Sequence, residues 1–119
     1  MKITLCGSAR FEREFKEWNK RLSLAGHLVY SLSTYPSDES GEDWYNDEQK
    51  AMLDRVHLRK IDNSDAIVVL NPGGYIGQST GREIAYAATR KRIFAIEIRE
   101  GEEFLDALEL VRGGLTDQY

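Results

Sequence analysis

The sequence contains one cysteine, two histidines and two prolines among its 119 residues. Cys6 alone excludes an internal disulfide and any site built from several cysteines. His27 and His57 are far apart in sequence, so we expect no metal site and no cofactor. No apolar run approaches membrane-spanning length, and residues 2–6 are too short for a signal-peptide core. The expectation is a cytoplasmic protein without membrane contact.

Positive charge is also scarce, since the formal net charge is −4. This balance argues against a nucleic-acid partner, because too few cations are present to neutralise a run of phosphates. A small anionic ligand, which needs only one or two local donors, stays possible. The hydrophobic share of 41% and the charged share of 30% are typical of a globular protein. The length predicts a single domain over residues 1–119.

Short apolar segments alternate with amphipathic ones along the chain. The pattern predicts strands at residues 2–6, 27–32, 65–71 and 92–98, and helices at 10–25, 47–62, 80–90 and 102–111. The nearly unbroken apolar segment 65–71 indicates a central strand covered on both faces. The alternation predicts an α/β domain with a parallel sheet of four to five strands and helices on both faces. A fifth strand requires that segment 102–111 is not simply a helix.

A long polar loop separates the second predicted strand from the second predicted helix. Residues 33–43 carry four acids, Asp38, Glu39, Glu42 and Asp43, which we expect to be solvated. A loop of this length indicates function or mobility. The aromatic pair Trp44 and Tyr45 follows it and either covers a bound base or packs on the core.

Two glycine-containing turns are candidates for a binding site. Ligands of such sheets bind outside the carboxyl ends of the strands, where the strand order reverses. If the first and third strands are neighbours, residues 7–10 and 71–83 line this crevice. Gly7, Ser8 and Arg10 either bind an anion or form a tight turn with a helix cap, and the residues alone favour the cap. Neither turn matches a dinucleotide fingerprint or a P-loop.

The second turn is richer in groups that suit a nucleotide. Gly74 and Gly77 allow the backbone to approach a ligand closely, and Tyr75 offers a flat apolar face. Ser79 and Thr80 place hydroxyls and amide N–H groups at a predicted helix start, which suits phosphate.

Two ionisable residues near this turn have open roles. Thr80 and Glu83 have the spacing of a capping box, which would keep the carboxylate ionised at neutral pH. An ionised carboxylate also suits a nucleophile, so the two roles are compatible. His57, on the second predicted helix, is either an acid or base at the rim of the crevice or a packing residue, and packing is favoured.

The segments KITLCGSARF and SDAIVVLNPGGYIGQSTGREIAYA give the chain a resemblance to a known group of enzymes. It resembles the nucleoside 2-deoxyribosyltransferase superfamily, which includes 2′-deoxynucleoside 5′-monophosphate N-glycosidases, and is most like small bacterial and phage members. The resemblance covers about residues 2–97. It implies a flavodoxin-like sheet, a homodimer or larger oligomer, and cleavage or transfer of the N-glycosidic bond of a nucleoside or nucleotide.

The resemblance also implies roles for individual residues. Glu83 falls at the position of the family's nucleophilic glutamate. Gly7, Ser8 and Arg10 match the turn that holds the sugar or phosphate, and Ser79 lies near a phosphate-binding serine.

Two positions depart from the family's pattern. Thr4 stands where the family has an active-site tyrosine, and His57 stands where an aspartate protonates the leaving base. Asp54 and Asp62 each lie about a turn from that aspartate position. The sequence therefore leaves two hypotheses: an enzyme with Glu83 as nucleophile and His57 as acid, or a non-catalytic nucleotide-binding module that retains the pocket.

Overall fold

The computed structural model describes residues 1–35 and 45–112. The strands are β1 (Lys2–Gly7), β2 (Leu28–Tyr30), β3 (Ala66–Leu70), β4 (Arg92–Ala95) and β5 (Leu105–Asp106), and the helices are α1 (Glu12–Leu24), α2 (Asp47–Asp62), α3 (Gln78–Ala87) and α4 (Leu108–Arg112). The four loop acids, Trp44 and the tail 113–119 lie outside the described residues. Within the described ranges, no helix combines the length and apolar character that a membrane span needs.

The five strands form one parallel sheet in the order β2-β1-β3-β4-β5. This is the flavodoxin-like order, and the predicted α/β class is confirmed. β1 pairs with β3 from Ile3 opposite Ala66 to Gly7 opposite Leu70, so the first and third strands are neighbours. The chain runs from β1 outward to β2 and then returns to β3. The crevice expected at such a reversal lies at the carboxyl ends of β1 and β3.

Helices cover both faces of the sheet. Side chains alternate along each strand, so each face carries apolar residues that a helix layer buries. Leu5 and Val68 point to the face that α1 and α4 cover, where Phe15 joins them in one apolar cluster. Cys6 and Val69 point to the opposite face, toward α2 and α3. All five residues of β3 are fully buried, which confirms the prediction of a central strand.

The first helix follows the predicted apolar pattern. Phe15, Trp18 and Leu22 are its buried residues. A short 3₁₀ turn, Ala9–Phe11, precedes it. Gly26 ends it with a φ of 96°, a left-handed conformation that favours glycine.

β4 ends three residues earlier than predicted because a side chain replaces the backbone pairing. Fully buried Asn71 donates from its amide nitrogen to the Glu97 carbonyl at 3.0 Å. Its Oδ1 accepts the Glu97 N–H at 3.1 Å. The backbone N–H and C=O of Glu97 are therefore satisfied by the Asn71 side chain instead of by a neighbouring strand.

The helix predicted over 102–111 is wrong in its first half. Leu105 and Asp106 pair with Phe94 and Ala95 as the fifth strand. Asp106 Oδ1 then accepts the Leu108 N–H at 2.9 Å. The helix extends only from Leu108 to Arg112. A short polar side chain that bonds its own local backbone competes with helix formation, which explains the error.

Gly7 is the residue at which the end of β1 packs most closely against β3. A Cβ at this position would lie 2.9 Å from the Leu70 carbonyl oxygen and 3.5 Å from the Phe15 ring. We therefore expect Gly7→Ala to reduce the free energy of unfolding by about 1–3 kcal/mol, because buried backbone has to shift. Urea denaturation followed by circular dichroism measures this.

Gly81→Ala is the matched control. A Cβ at Gly81, inside α3, would meet no atom within 4 Å. This substitution should stabilise the protein by up to about 1 kcal/mol through helix propensity. Equal effects of the two substitutions would contradict the close approach at Gly7.

Candidate functional site

A cavity of about 310 Å³ opens at the carboxyl ends of β1 and β3. The chain supplies its wall from the turn after β1, the segment after β2, one face of α2 and the start of α3. The lining residues are Gly7, Ser8, Ala9, Leu32, Ser33, Thr34, Tyr45, Lys50, Leu53, Asp54, His57, Tyr75, Gly77, Gln78, Ser79 and Glu83.

Most residues that the sequence suggested for a site meet in this cavity. Gly7, Ser8, His57, Tyr75, Gly77, Ser79 and Glu83 line it, whereas Arg10, Gly74 and Thr80 do not. The two glycine-containing turns therefore face each other, as the strand order predicted.

The turn after β1 has both a structural role and a place on the cavity wall. Ser8 Oγ accepts the Arg10 N–H at 3.3 Å, so Ser8 caps the 3₁₀ turn Ala9–Phe11, whereas α1 begins after Phe11 without a side-chain cap. The Arg10 guanidinium lies 4.5 Å from the centre of the Tyr75 ring, in cation–π geometry. Phe11 meets the same ring edge-on at 5.8 Å. These contacts fix Tyr75 at the cavity wall.

Gly74 has a role other than the one its sequence context suggested. Its φ is 79°, and a Cβ at this position would collide with the Arg99 guanidinium. Arg99 donates to the carbonyl of Gly73 beside it. Gly74 thus allows Arg99 to pack on the turn, while Gly77 is the glycine of this segment that contacts the cavity.

The predicted capping box at the start of α3 is wrong. The helix begins at Gln78 with Gly77 as its N-cap, so Thr80 is already its third residue. The Thr80 side chain is buried. Glu83 lies in the second turn, beyond the backbone N–H groups that a cap would satisfy. Gln78 and Ser79 bring the first-turn amides to the cavity wall.

Glu83 instead contacts two buried side chains from other elements. His57 Nε2, on α2, lies 3.7 Å from Glu83 Oε1. The same nitrogen lies 3.5 Å from Cys6 Sγ, at the end of β1. The Glu83 side chain is 14% exposed and that of His57 is 6% exposed. Cys6, His57 and Glu83 are called the buried trio below.

Burial shifts the protonation of all three groups toward their neutral forms. It raises the pKa of Glu83 from 4.5 to about 7, with a hydrogen bond from Cys6 acting in the opposite direction. It lowers the pKa of His57 from 6.5 to about 4, and nearby Lys60 lowers it further. It raises the pKa of the Cys6 thiol well above its ordinary value. The expectation that a helix cap keeps Glu83 ionised is therefore wrong. In mildly acidic solution the Glu83 carboxyl and the His57 imidazole that it contacts are both neutral.

The face of α2 that lines the cavity is largely polar, whereas Met52 on the same helix is 47% exposed. Lys50, Asp54 and His57 line the cavity at spacings of four and three residues. Lys50 donates to Asp54 along the helix. The spacing of these three residues is visible in the sequence. A search for apolar residues at helical spacing does not detect it, because the inward-facing residues are polar.

The structure locates two acids, Asp54 and Asp62, and one aromatic residue, Tyr45, whose roles the sequence left open. Asp54 lines the cavity, whereas Asp62 accepts a hydrogen bond from the Tyr86 hydroxyl at 2.7 Å and is exposed. Tyr45 lines the cavity.

Thr4, which the sequence resemblance aligned with an active-site tyrosine, does not line the cavity. Its side chain is fully buried and shares a hydrogen bond with Ser64 at the end of α2. A threonine here joins the sheet to the helix layer.

Comparisons with known proteins place this geometry in a fold group. No protein-family model matches the chain, and no curated protein matches it in sequence. Among solved structures, the chain is similar to a 2-deoxyribosyltransferase from Bacillus psychrosaccharolyticus, with a TM-score of 0.59, 19% identity, and 84% of this chain and 77% of the other covered. It is also similar to the CMP N-glycosidase BcmB of Clostridium botulinum, with a TM-score of 0.54, 17% identity, and coverage of 98% and 82%.

At these identities the likeness is one of fold. The structural match confirms the flavodoxin-like fold that the resemblance implied.

The raised pKa of Glu83 predicts a pH-dependent cost to stability. Below a pH of about 4.5 the carboxyl is protonated in both folded and unfolded chains, whereas above about 7 the folded chain holds a buried charge. Glu83→Gln should therefore have about the wild-type stability near pH 4 and be more stable by roughly 2–3 kcal/mol near pH 8. Urea denaturation of both proteins across this range, with a chelator present, measures the difference.

His57 acts in the opposite direction, since its lowered pKa makes stability rise with pH between about 4 and 6.5. It is present in both proteins, so the difference between their curves isolates Glu83. A difference that does not change with pH would contradict burial of this carboxyl.

Proposed function

We propose that this protein cleaves or transfers the N-glycosidic bond of a deoxynucleoside or deoxynucleotide, with Glu83 as the nucleophile. The observation that carries the proposal is the position of the Glu83 carboxyl, on the wall of a cavity and beside His57 at 3.7 Å. The fold likeness to a 2-deoxyribosyltransferase and a CMP N-glycosidase supports the same class of substrate.

The cavity offers separate surroundings for the parts of a nucleotide. A volume of about 310 Å³ lies in the range of small-molecule sites. Ser8 and Ser79 line it with hydroxyls, and Gln78 and Ser79 bring first-turn amides of α3 as donors for a phosphate. Tyr75 offers a ring face to a base or sugar.

The proposed reaction proceeds in two displacements. An oxygen of ionised Glu83 attacks the anomeric carbon, and the electron pair of the carbon–nitrogen bond leaves with the base. The departing nitrogen takes a proton from His57. Water or a second base then attacks the anomeric carbon, gives its proton to His57 and releases the Glu83 carboxylate.

One proton shared by Glu83 and His57 supplies both reactive forms. When it moves from the carboxyl to His57 Nε2 across the 3.7 Å contact, it creates a carboxylate nucleophile and an imidazolium acid together. The pair holds one proton between the pKa of His57, about 4, and that of Glu83, about 7. The active state is therefore the singly protonated pair.

A non-catalytic nucleotide-binding module is the second candidate. The observation that favours it is Thr4, whose side chain bonds Ser64 in the core, where the resembling enzymes place an active-site tyrosine. Binding without turnover would require only the cavity and its donors.

Loss of the Glu83 charge should abolish turnover while the fold is retained. We expect Glu83→Gln to reduce release of free base from deoxynucleosides and deoxynucleoside monophosphates by at least about 1000-fold, as removal of a nucleophile does. Chromatography of the released base measures it, and circular dichroism checks the fold. Glu17→Gln, an exposed glutamate on α1, is the control and should retain full turnover.

The outcome also separates the two candidates. If neither the wild-type protein nor Glu17→Gln releases base, while a deoxynucleotide still binds, the binding module is correct and the glycosidic proposal is wrong.

The pH profile tests the role of His57. Base release by the wild-type protein should be highest between pH values of about 4 and 7 and should fall above about 7, as the pair loses its shared proton. His57→Gln should be slower, and its rate should instead rise with pH as Glu83 ionises. A wild-type rate that rises through neutral pH would contradict His57 as the acid.

A further inference from the structure

The buried trio brings together three different metal-ligating groups from three elements of the fold. Cys6 Sγ, His57 Nε2 and a Glu83 carboxylate oxygen all lie within 4.8 Å of one another. They come from the end of β1, the middle of α2 and the second turn of α3, so the sheet and both helices on this face hold them in place. We propose that Cys6, His57 and Glu83 form a binding site for a tetrahedral divalent transition metal of the zinc class.

The distances between the ligand atoms fit such an ion. Zinc–sulfur and zinc–nitrogen bonds of about 2.3 and 2.05 Å at tetrahedral angles place sulfur and nitrogen about 3.6 Å apart. The observed distance between Cys6 Sγ and His57 Nε2 is 3.5 Å. The corresponding nitrogen–oxygen distance is about 3.4 Å in a tetrahedral site, and His57 Nε2 lies 3.7 Å from Glu83 Oε1. The remaining pair, Cys6 Sγ and a Glu83 oxygen, lies within 4.8 Å, so bringing it to about 3.6 Å requires a movement of at most about 1.2 Å.

The charge balance also favours a divalent ion. A thiolate and a carboxylate together neutralise two positive charges, so the occupied site has no net charge in its buried surroundings. Binding displaces the thiol proton of Cys6, and below neutral pH also the carboxyl proton of Glu83, and both are released to solvent. His57 coordinates as the neutral imidazole, the form that burial already favours.

The fourth position of the metal would face the cavity. His57 and Glu83 line the cavity wall, whereas Cys6 lies behind them and is fully buried. Three protein ligands with one position open to solvent or ligand is the arrangement of a reactive zinc site, not of a closed structural one. Lys50, the cation on the same wall, is paired with Asp54, which limits its repulsion of the ion.

The metal-bound and metal-free proteins would differ in function. A metal bound to Glu83 lowers the nucleophilicity of the carboxylate, and a metal bound to His57 Nε2 occupies the nitrogen that would carry the proton, so metal occupancy would inhibit the proposed base release. This consequence rests on the proposed function, whereas the site itself rests only on the positions of its three ligands. The pH dependences given above belong to the metal-free protein.

Cobalt(II) is the direct probe, since it replaces zinc and reports its ligands by absorption. Addition of Co²⁺ to the chelator-treated full chain should produce a thiolate-to-cobalt charge-transfer band and the intense visible bands of four-coordinate cobalt. One equivalent of Zn²⁺ should remove both. Cys6→Ser, His57→Gln and Glu83→Gln should each weaken Co²⁺ binding by more than about 100-fold, because loss of a mere outer-shell partner already costs 10–100-fold.

Glu17→Gln is the control, because it removes an exposed acidic charge from α1, away from the trio. It should bind Co²⁺ within about threefold of the wild-type affinity, a change well below that of losing a ligand. Asp54→Asn, on the cavity wall, tests whether that acid is a ligand in place of Cys6. Absence of the charge-transfer band, or binding that depends on Asp54 and not on Cys6, would overturn the proposal. If Cys6→Ser does not fold by circular dichroism, the affinities of Glu83→Gln and His57→Gln decide.

The readout is independent of the proposed function because no substrate is present. If the protein releases base but gives no cobalt band, only the proposed metal site is disproved. If it gives the cobalt band but releases no base, only the proposed glycosidic activity is disproved.

Discussion

Withdrawal of the Glu83 carboxyl from water is the interaction on which the account of this site depends. α3 begins close to the sheet, so its second turn places Glu83 against His57 and Cys6 instead of in solvent. Burial disfavours the charged form of each group, and the three neutral side chains pack together at the carboxyl end of β1. Above neutral pH this desolvation lowers the free energy of unfolding, because the folded chain holds a buried Glu83 carboxylate. The free energy of that carboxylate falls when it reacts with a carbon centre or binds a cation.

The sequence was sufficient for the fold where the chain follows one strong pattern. The apolar segment that forms β3 and the alternation of strands and helices predicted the parallel sheet. The pairing of β1 with β3, which the predicted crevice required as a condition, is present. The errors fall where one side chain overrides a pattern. Asn71 replaces strand pairing beyond β4, and Asp106 interrupts what resembled a helix, because short polar side chains bond to nearby backbone.

The site was predictable only in part. Gly7, Ser8 and Glu83 were identified from turns and resemblance, and the structure brings them to one cavity. The partners of Glu83 were not predictable, since the sequence assigned Cys6 only to a strand and favoured packing for His57. Only the pairing of β1 with β3 and the packing of α2 on that face place these side chains within hydrogen-bonding range.

The measurement that tests this account most directly is the titration of the Glu83 carboxyl carbon by nuclear magnetic resonance in the metal-free protein, with Glu83→Gln used to assign the signal. The account predicts a midpoint near the pKa of about 7 that burial produces. A midpoint at the ordinary pKa of 4.5 would show a solvated carboxylate and contradict the account.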